Sequence, residues 1–299
     1  MTRLVSRAEL FAAAARADSR MYHALRTVDI LADLMLHYYH RDYSVAYDET
    51  EHEPDLFSDI KDSPGAVKLA VDLSCDRLAR AYLTGLYPDL GYVGEESFDP
   101  RELARDRFWA VDPICGSLGY YKKTGYFGTS VALVDGRVGP LLGALNCPWL
   151  KIAGLASREK GLAWLQGDFQ PPPSPGLNVV VSANARGHPR MARMLELLGP
   201  GAVHFQESFP AKALGVLAGT YDLCFGFPKE GPGGGPKIWD LAASAAFSER
   251  RDFILTDFRG RPHDLTGRDG YKFRGGYIMA GSGKALELCL EAGERLGLA

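Results

Sequence analysis

Three carboxylates in this 299-residue chain stand at the edges of short apolar runs. Glu95 lies in Gly94-Glu95-Glu96-Ser97. Asp112 lies in Trp109-Ala110-Val111-Asp112-Pro113-Ile114-Cys115-Gly116-Ser117. Asp240 lies in Lys237-Ile238-Trp239-Asp240-Leu241-Ala242-Ala243. A strand end or helix start at each place would hold the acid rigidly, and Pro113 restricts Asp112 to extended geometry, aiming it out of a strand end. Mg²⁺ takes carboxylates, backbone carbonyls and water in octahedral array, so these acids suit it. Two or three such ions can activate a water, neutralise phosphoryl oxygens and stabilise a leaving oxygen, which are the needs of phosphate-ester hydrolysis. Gly116-Ser117 can open a helix whose amides and dipole meet a phosphate. Taken alone, Glu95-Glu96 reads as a solvated turn, Asp112-Pro113 as a turn, and Trp239-Asp240 as a helix start with a packed aromatic. Their combination and order carry the reading.

In that order the segments resemble the inositol monophosphatase family, which includes bisphosphate nucleotidases and other lithium-sensitive Mg-dependent phosphatases. The similarity runs over about residues 20–295. It implies a layered α-β-α-β-α sandwich, an α/β (α+β) fold. It also implies that Glu95 binds metal, Asp112 bridges two metals, the carbonyl of Ile114 is a further ligand and Asp240 binds the second metal. The family's Lys-x-Ser-Pro segment matches Lys61-Asp62-Ser63-Pro64, which makes Lys61 a candidate substrate contact. The acid eleven residues on is Asp72, which in the family helps position the attacking water. Glu95 and Ser117 would orient that water, and backbone amides of Gly116 and Ser117 would hold the phosphate. Ser182, Asn184 and Arg186, in a loop that the family uses for substrate, are further candidates, though ordinary turn residues would look the same.

The sequence departs from the family in four places. Cys115 stands where the family has a metal-binding Asp. Ser117 replaces a Thr but keeps a hydroxyl. Glu249-Arg250-Arg251-Asp252 replaces a Glu-Ala-Gly-Gly segment, and Gly231-Pro232-Gly233-Gly234-Gly235-Pro236 stands where many members place a substrate-contacting Glu. The cysteine matters most: a neutral thiol is a poor Mg²⁺ ligand, and a thiolate prefers softer metals. Three readings stand open. One is a weaker two-metal, Mg²⁺-dependent phosphomonoesterase on a small polyol, sugar or nucleotide phosphate, with water or Asp72 filling the gap left by the cysteine. Another is a one-metal or metal-poor homologue, with fewer Mg²⁺ ions than the family norm, repurposed for another reaction on a phosphorylated or similarly anionic molecule. The third is a binding protein without turnover. Cys115 as a covalent nucleophile would lack a histidine nearby in sequence to activate it.

Composition bounds the rest. Apolar residues make up 46% and charged residues 24%, the balance of a soluble globular protein. A formal net charge of −3 gives no general pull toward nucleic acid, so an anionic substrate must be attracted locally. The five cysteines are odd in number, widely spaced and without a CxxC pair, which argues against a disulfide framework or a zinc site and for a reducing cytoplasm. No stretch reads as a membrane span. The resemblance leaves a homodimer open.

Ser6-Arg7-Ala8-Glu9 has capping-box spacing and opens a helix to about residue 18. Further helices are expected over 22–41 and 67–86, with an acidic loop or lid over 42–60. Strands are expected at 91–94 and 108–112, and a hairpin over 127–134 and 138–145. After a Pro-rich turn at 170–176, strands at 177–182, 221–227, 253–257 and 276–280 alternate with helices near 189–198, 211–219, from Trp239, and at 283–296. The expected halves are 1–148, carrying Glu95 and Asp112, and 149–299, carrying Asp240 and substrate loops. Lys212, the Tyr120-Tyr121-Lys122-Lys123 run and the helical histidines His37 and His40 carry weaker signals, each with a plain packing reading beside the functional one.

Overall fold

Two mixed sheets and the helices between them place the carboxylates. The computed structural model describes residues 3–40, 57–60, 67–170, 172–228, 235–248 and 252–298. In the first half, β1 (Arg3–Leu4) precedes α1 (Arg7–Ala17) and α2 (Ser19–Tyr39). Then come β2 (Phe57–Ile60), β3 (Val67–Leu69), α3 (Ala70–Leu86), β4 (Gly91–Gly94), β5 (Arg107–Cys115) and α4 (Ser117–Tyr121). Four strands follow: β6 (Gly128–Asp135), β7 (Gly139–Cys147), β8 (Ile152–Ser157) and β9 (Leu162–Gln166). The second half holds β10 (Asn178–Ser182), α5 (Met191–Leu198), β11 (Ala202–Gln206), α6 (Phe209–Leu217), β12 (Leu223–Gly226), α7 (Ile238–Ala245), β13 (Ile254–Thr256), β14 (Tyr277–Ala280) and α8 (Gly283–Arg295).

Seven strands form one sheet in the order β1-β9-β8-β7-β6-β5-β4, and five form another in the order β11-β10-β12-β14-β13. The strands that follow residue 148, β8 and β9, pair within the first sheet, and the second sheet begins only at Asn178. β5 through β8 are buried along nearly their whole length, because helices cover both faces. On one face, Leu25, Val28 and Met35 of α2 and Cys75 and Ala79 of α3 pack with Trp109, Val111, Val131 and Leu133. On the other, Leu214 of α6 and Trp239, Ala242 and Ala243 of α7 pack with Ala110, Ala132 and Leu145, and on into Val180 and Met279 of the second sheet. A third cluster joins α5 and α8 to that sheet's far face. The order is helix, sheet, helix, sheet, helix. Gly143 is needed where α7 crosses β7: a Cβ there would strike the backbone of Ala243.

Most expected elements are present, and the Ser6–Glu9 capping box opens α1. One boundary moves: Val67–Leu69, expected as helix, is the strand β3, antiparallel to β2, and α3 starts at Ala70. Of the expected acidic loop, residues 42–56 lie outside the described residues, and 57–60 form β2. Within the Tyr120–Lys123 run, the Tyr120 hydroxyl donates to the Met35 carbonyl at 2.9 Å and Lys123 Nζ donates to the Tyr39 carbonyl at 2.7 Å, while Tyr121 and Lys122 are exposed. No helix among the described residues is long and apolar enough to cross a membrane.

Candidate active site

β5 delivers three candidate site residues, Asp112, Ile114 and Cys115, around a break in its ladder at the proline. β5 is parallel to β4 and antiparallel to β6, and it pairs regularly down to Asp112, opposite Ser130. Pro113 has no N–H to donate, and the register shifts before Cys115 meets Gly128. The Thr129 hydroxyl donates to the Asp112 carbonyl at 3.1 Å and holds the strand at this break. Asp112 is buried, and so are Ile114 and Cys115. Gly116 then turns the chain at φ +91° as the cap of α4. A Cβ at Gly116 would also lie 2.7 Å from the Tyr126 carbonyl oxygen, so glycine is required twice over.

Glu95 directly follows β4, and its N–H donates to the Val111 carbonyl at 3.1 Å, so it enters beside Asp112. Asp240 comes from the first turn of α7, where the Lys237 N–H donates to its Oδ2 at 2.6 Å. Lys237 Nζ lies 3.4 Å from Glu95 Oε1 and 5.3 Å from the centre of the Trp239 ring. Burial, then the charge of Glu95, push the Asp240 carboxyl up to about 6, against the pull of Lys237. Burial, with the nearby Asp112 and Asp240 charges, pushes the Cys115 thiol well above its ordinary range, and the Phe209 N–H, donating to Sγ at 3.2 Å, opposes that. Without metal, Cys115 is a neutral thiol.

Ser117 joins this set to α3. Its Oγ lies 3.0 Å from the Ile114 carbonyl oxygen and 3.4 Å from Oδ1 of the buried Asp72. On the other side, Ser182 ends β10 and accepts from Lys212 Nζ at 2.6 Å. Lys212 is wholly buried, 3.5 Å from the Tyr277 hydroxyl and 4.5 Å from the Phe209 ring centre. Asn184 and Arg186 are exposed on the turn that follows Ser182, where Arg186 lays its guanidinium 4.2 Å from the Phe205 ring centre. Lys61 lies outside the described residues. Sequence reading gave Lys212 little weight and did not single out Lys237. A buried lysine has no sequence pattern of its own.

Among the described residues, Asp112, Cys115 and Asp240 each offer a donor atom, all within 4.8 Å of one another. Glu95, Asp112 and the Ile114 carbonyl present hard oxygens, which fit Mg²⁺. The set Asp112, Cys115 and Asp240 does not fit it, because the thiol is neutral and its sulfur soft.

Comparison with known proteins decides the family. The model of the inositol monophosphatase family matches residues 18–292. The chain belongs to that family. Its likeness to known members is distant in sequence. It is 28% identical over 240 residues to the 3'(2'),5'-bisphosphate nucleotidase CysQ of Shigella flexneri, covering 75% of this chain and 88% of that one. The extragenic suppressor protein suhB of Bartonella henselae shares the fold with a TM-score of 0.71 at 16% identity, over 92% of this chain and 98% of that one. An IMPase/NADP phosphatase complexed with Mg²⁺ and phosphate does so with a TM-score of 0.62 at 17% identity, over 78% and 85%. The layered fold implied by the motifs is therefore the fold of this chain, and the chain is a phosphoric monoester hydrolase-like enzyme.

Proposed function

We propose that this protein hydrolyses a small phosphate monoester in a Mg²⁺-dependent reaction. The observation that carries the reading is the Ser117 hydroxyl, at the start of α4 just past the strand of Asp112, set between the Ile114 carbonyl at 3.0 Å and the Asp72 carboxylate at 3.4 Å. Mg²⁺ held by Glu95, Asp112 and the Ile114 carbonyl would supply charge neutralisation for the phosphoryl oxygens. The protein's own groups do the remaining work. Asp72, through Ser117, accepts the proton of the attacking water and fixes the hydroxyl's direction. The amides of Gly116 and Ser117 hold the phosphate. Ser182, backed by Lys212, faces the leaving group, with Asn184 and Arg186 further out on the same turn. Lys61 is a further contact from the preceding segment.

The substrate class follows from the relatives only as a ranking. The Shigella flexneri relative is named a 3'(2'),5'-bisphosphate nucleotidase, so a nucleoside 3',5'-bisphosphate heads the panel, before inositol and sugar phosphates. The test is phosphate release from this panel with Mg²⁺, with chelator, and with Mg²⁺ restored. Release that disappears with chelator and returns with Mg²⁺ is expected. No release from any member, with or without Mg²⁺, would overturn the proposal.

Cys115 favours a second reading, a site turned from hydrolysis to binding of an anionic small molecule. Calorimetry separates the two: binding of a panel member without phosphate release supports the second, and turnover excludes it.

A further inference from the structure

We infer that the Asp112, Cys115 and Asp240 position takes a thiophilic divalent ion of the Zn²⁺ class, bound through the Cys115 sulfur, in place of a second Mg²⁺. The inference deepens the proposed reaction and depends on it for the ion's use, though not for its binding.

The geometry comes first. Zn²⁺ binds carboxylate oxygen at about 2.0–2.2 Å and thiolate sulfur at about 2.3 Å. In the tetrahedral array of such a centre, two donors on one ion are about 3.4–3.6 Å apart. The three donors here lie within 4.8 Å of one another, so closing on an ion asks for side-chain shifts of up to about an ångström. Each donor is held. Asp112 and Cys115 flank the register shift in β5, and the Asp240 carboxylate is fixed by the Lys237 N–H, which donates to Oδ2 at 2.6 Å. Three protein ligands with a fourth position open to water or substrate is the arrangement of reactive zinc centres.

The surroundings of the sulfur are an independent observation. Phe209 is the first residue of α6, a nine-residue helix, and its N–H donates to Cys115 Sγ at 3.2 Å. An N–H aimed at a ligand sulfur orients and supports it. This helix start is directed at the one atom that differs from a carboxylate site.

Charge and chemistry then choose the ion. On binding, the S–H bond breaks, a sulfur–metal bond forms and the proton leaves to solvent, with no change of oxidation state. A thiolate and two carboxylates carry three negative charges against the ion's two, and the cations of Lys237 and the buried Lys212 stand near the excess. A thiolate selects Zn²⁺ and its neighbours in the first transition row over Mg²⁺. Glu95, Asp112 and the Ile114 carbonyl remain an all-oxygen site. The two positions thus differ in metal type, and Asp112 is shared between them.

Co²⁺ added to metal-free protein reports this directly, because a cobalt–thiolate bond gives an intense near-ultraviolet charge-transfer band. The expected result is such a band at one equivalent, displaced by Zn²⁺ and not by a large excess of Mg²⁺. Cys115→Ser should abolish the band and weaken Zn²⁺ binding at least about 100-fold, since loss of an outer-shell partner alone costs up to that much. Cys147→Ser, a second buried thiol, should keep the band. Cys115→Asp should lose it and let Mg²⁺ compete, and thermal melts establish that each variant is folded. No band in the wild type, a band that persists in Cys115→Ser, or displacement by Mg²⁺ at concentrations similar to Zn²⁺ would overturn the inference. Phosphate release without a thiolate band leaves the proposed function standing and removes the inference. A band without phosphate release under any metal does the reverse.

Discussion

Ser130 pairs with Asp112 across the β5–β6 ladder, and its hydroxyl donates to the carbonyl of Trp239 at 2.9 Å. One buried side chain thus ties the strand of Asp112 to the helix turn of Asp240, residues more than a hundred positions apart. Ser130→Ala leaves a buried carbonyl without this donor, which costs about 1–3 kcal/mol. Chemical denaturation should show that loss, and titration with divalent metal should show weaker binding, because the spacing of Asp112 and Asp240 is no longer held. Unchanged metal affinity in a destabilised variant would mean that the tie serves the fold alone.

Gly116 is the backbone pivot of the phosphate cradle. Gly116→Ala puts a Cβ 2.7 Å from the Tyr126 oxygen and 3.2 Å from the Ser208 nitrogen, at φ +91°. The left-handed conformation alone costs about 1–2 kcal/mol for a residue with a Cβ. A lower melting temperature and a kcat/KM reduced at least tenfold are expected. Gly283→Ala is the control, since nothing lies within 4 Å of its Cβ and its φ is not positive. That variant should match or slightly exceed the wild type in stability.

Asp72 and Ser117 act on the water, so their loss belongs in kcat. Asp72→Asn keeps shape but removes the proton acceptor, and a fall in kcat on the order of 100-fold with little change in KM is expected. Ser117→Ala should fall with it, and Ser117→Thr, which keeps the hydroxyl, should retain activity. A combined Asp72→Asn, Ser117→Ala variant should lose little beyond either single one, because the pair works as a unit. Full additivity would argue against the proposed coupling.

His263 gives a pH signature independent of the active site. Burial holds its pKa below the ordinary 6.5, although a hydrogen bond that the ring donates to the Thr256 backbone and the charge of Asp257 pull upward. Above pH about 6.5 both folded and unfolded chains carry it neutral. As pH falls below that value the unfolded chain takes up a proton that the folded chain resists, so stability falls until pH passes the folded value. Denaturation midpoints across pH 7.5 to 5 should therefore decline more steeply in the wild type than in His263→Gln. Parallel declines would show that His263 is not the group responsible.

The metal-side half of the site was legible because it is local in sequence. Asp112, Ile114, Cys115, Gly116 and Ser117 sit within six residues, and Pro113 and Gly116 announce a strand end and a turn. What joins them from elsewhere was less so. Lys212 is placed by the meeting of α6 with β10 and β14, which no window of sequence displays. β8 and β9 escaped notice because Ile152-Ala153-Gly154-Leu155-Ala156-Ser157 is buried at every position and shows no alternation, and small residues carry weak strand preference. β3 was read as helix because Val67–Leu69 continues the apolar spacing of α3, and only its pairing with β2 sets it apart. Capped and strongly periodic helices, such as α1 and α8, were placed to within a residue or two.

The pairing of β1 with β9 sets an order of events during synthesis. Arg3 meets Trp164 and Leu4 meets Leu165, so the outer edge of the large sheet closes when the chain's first residues find a strand made much later. Every strand of that sheet precedes residue 167, and it can assemble on a nascent chain before the second sheet exists. Its face stays uncovered until α6 and α7 emerge, and Asp240 arrives last of the acids, on α7. A ribosome-stalled fragment ending near residue 170 would thus present the Asp112 loop on a sheet with one bare apolar face, a target for chaperones and a stage at which aggregation competes with completion.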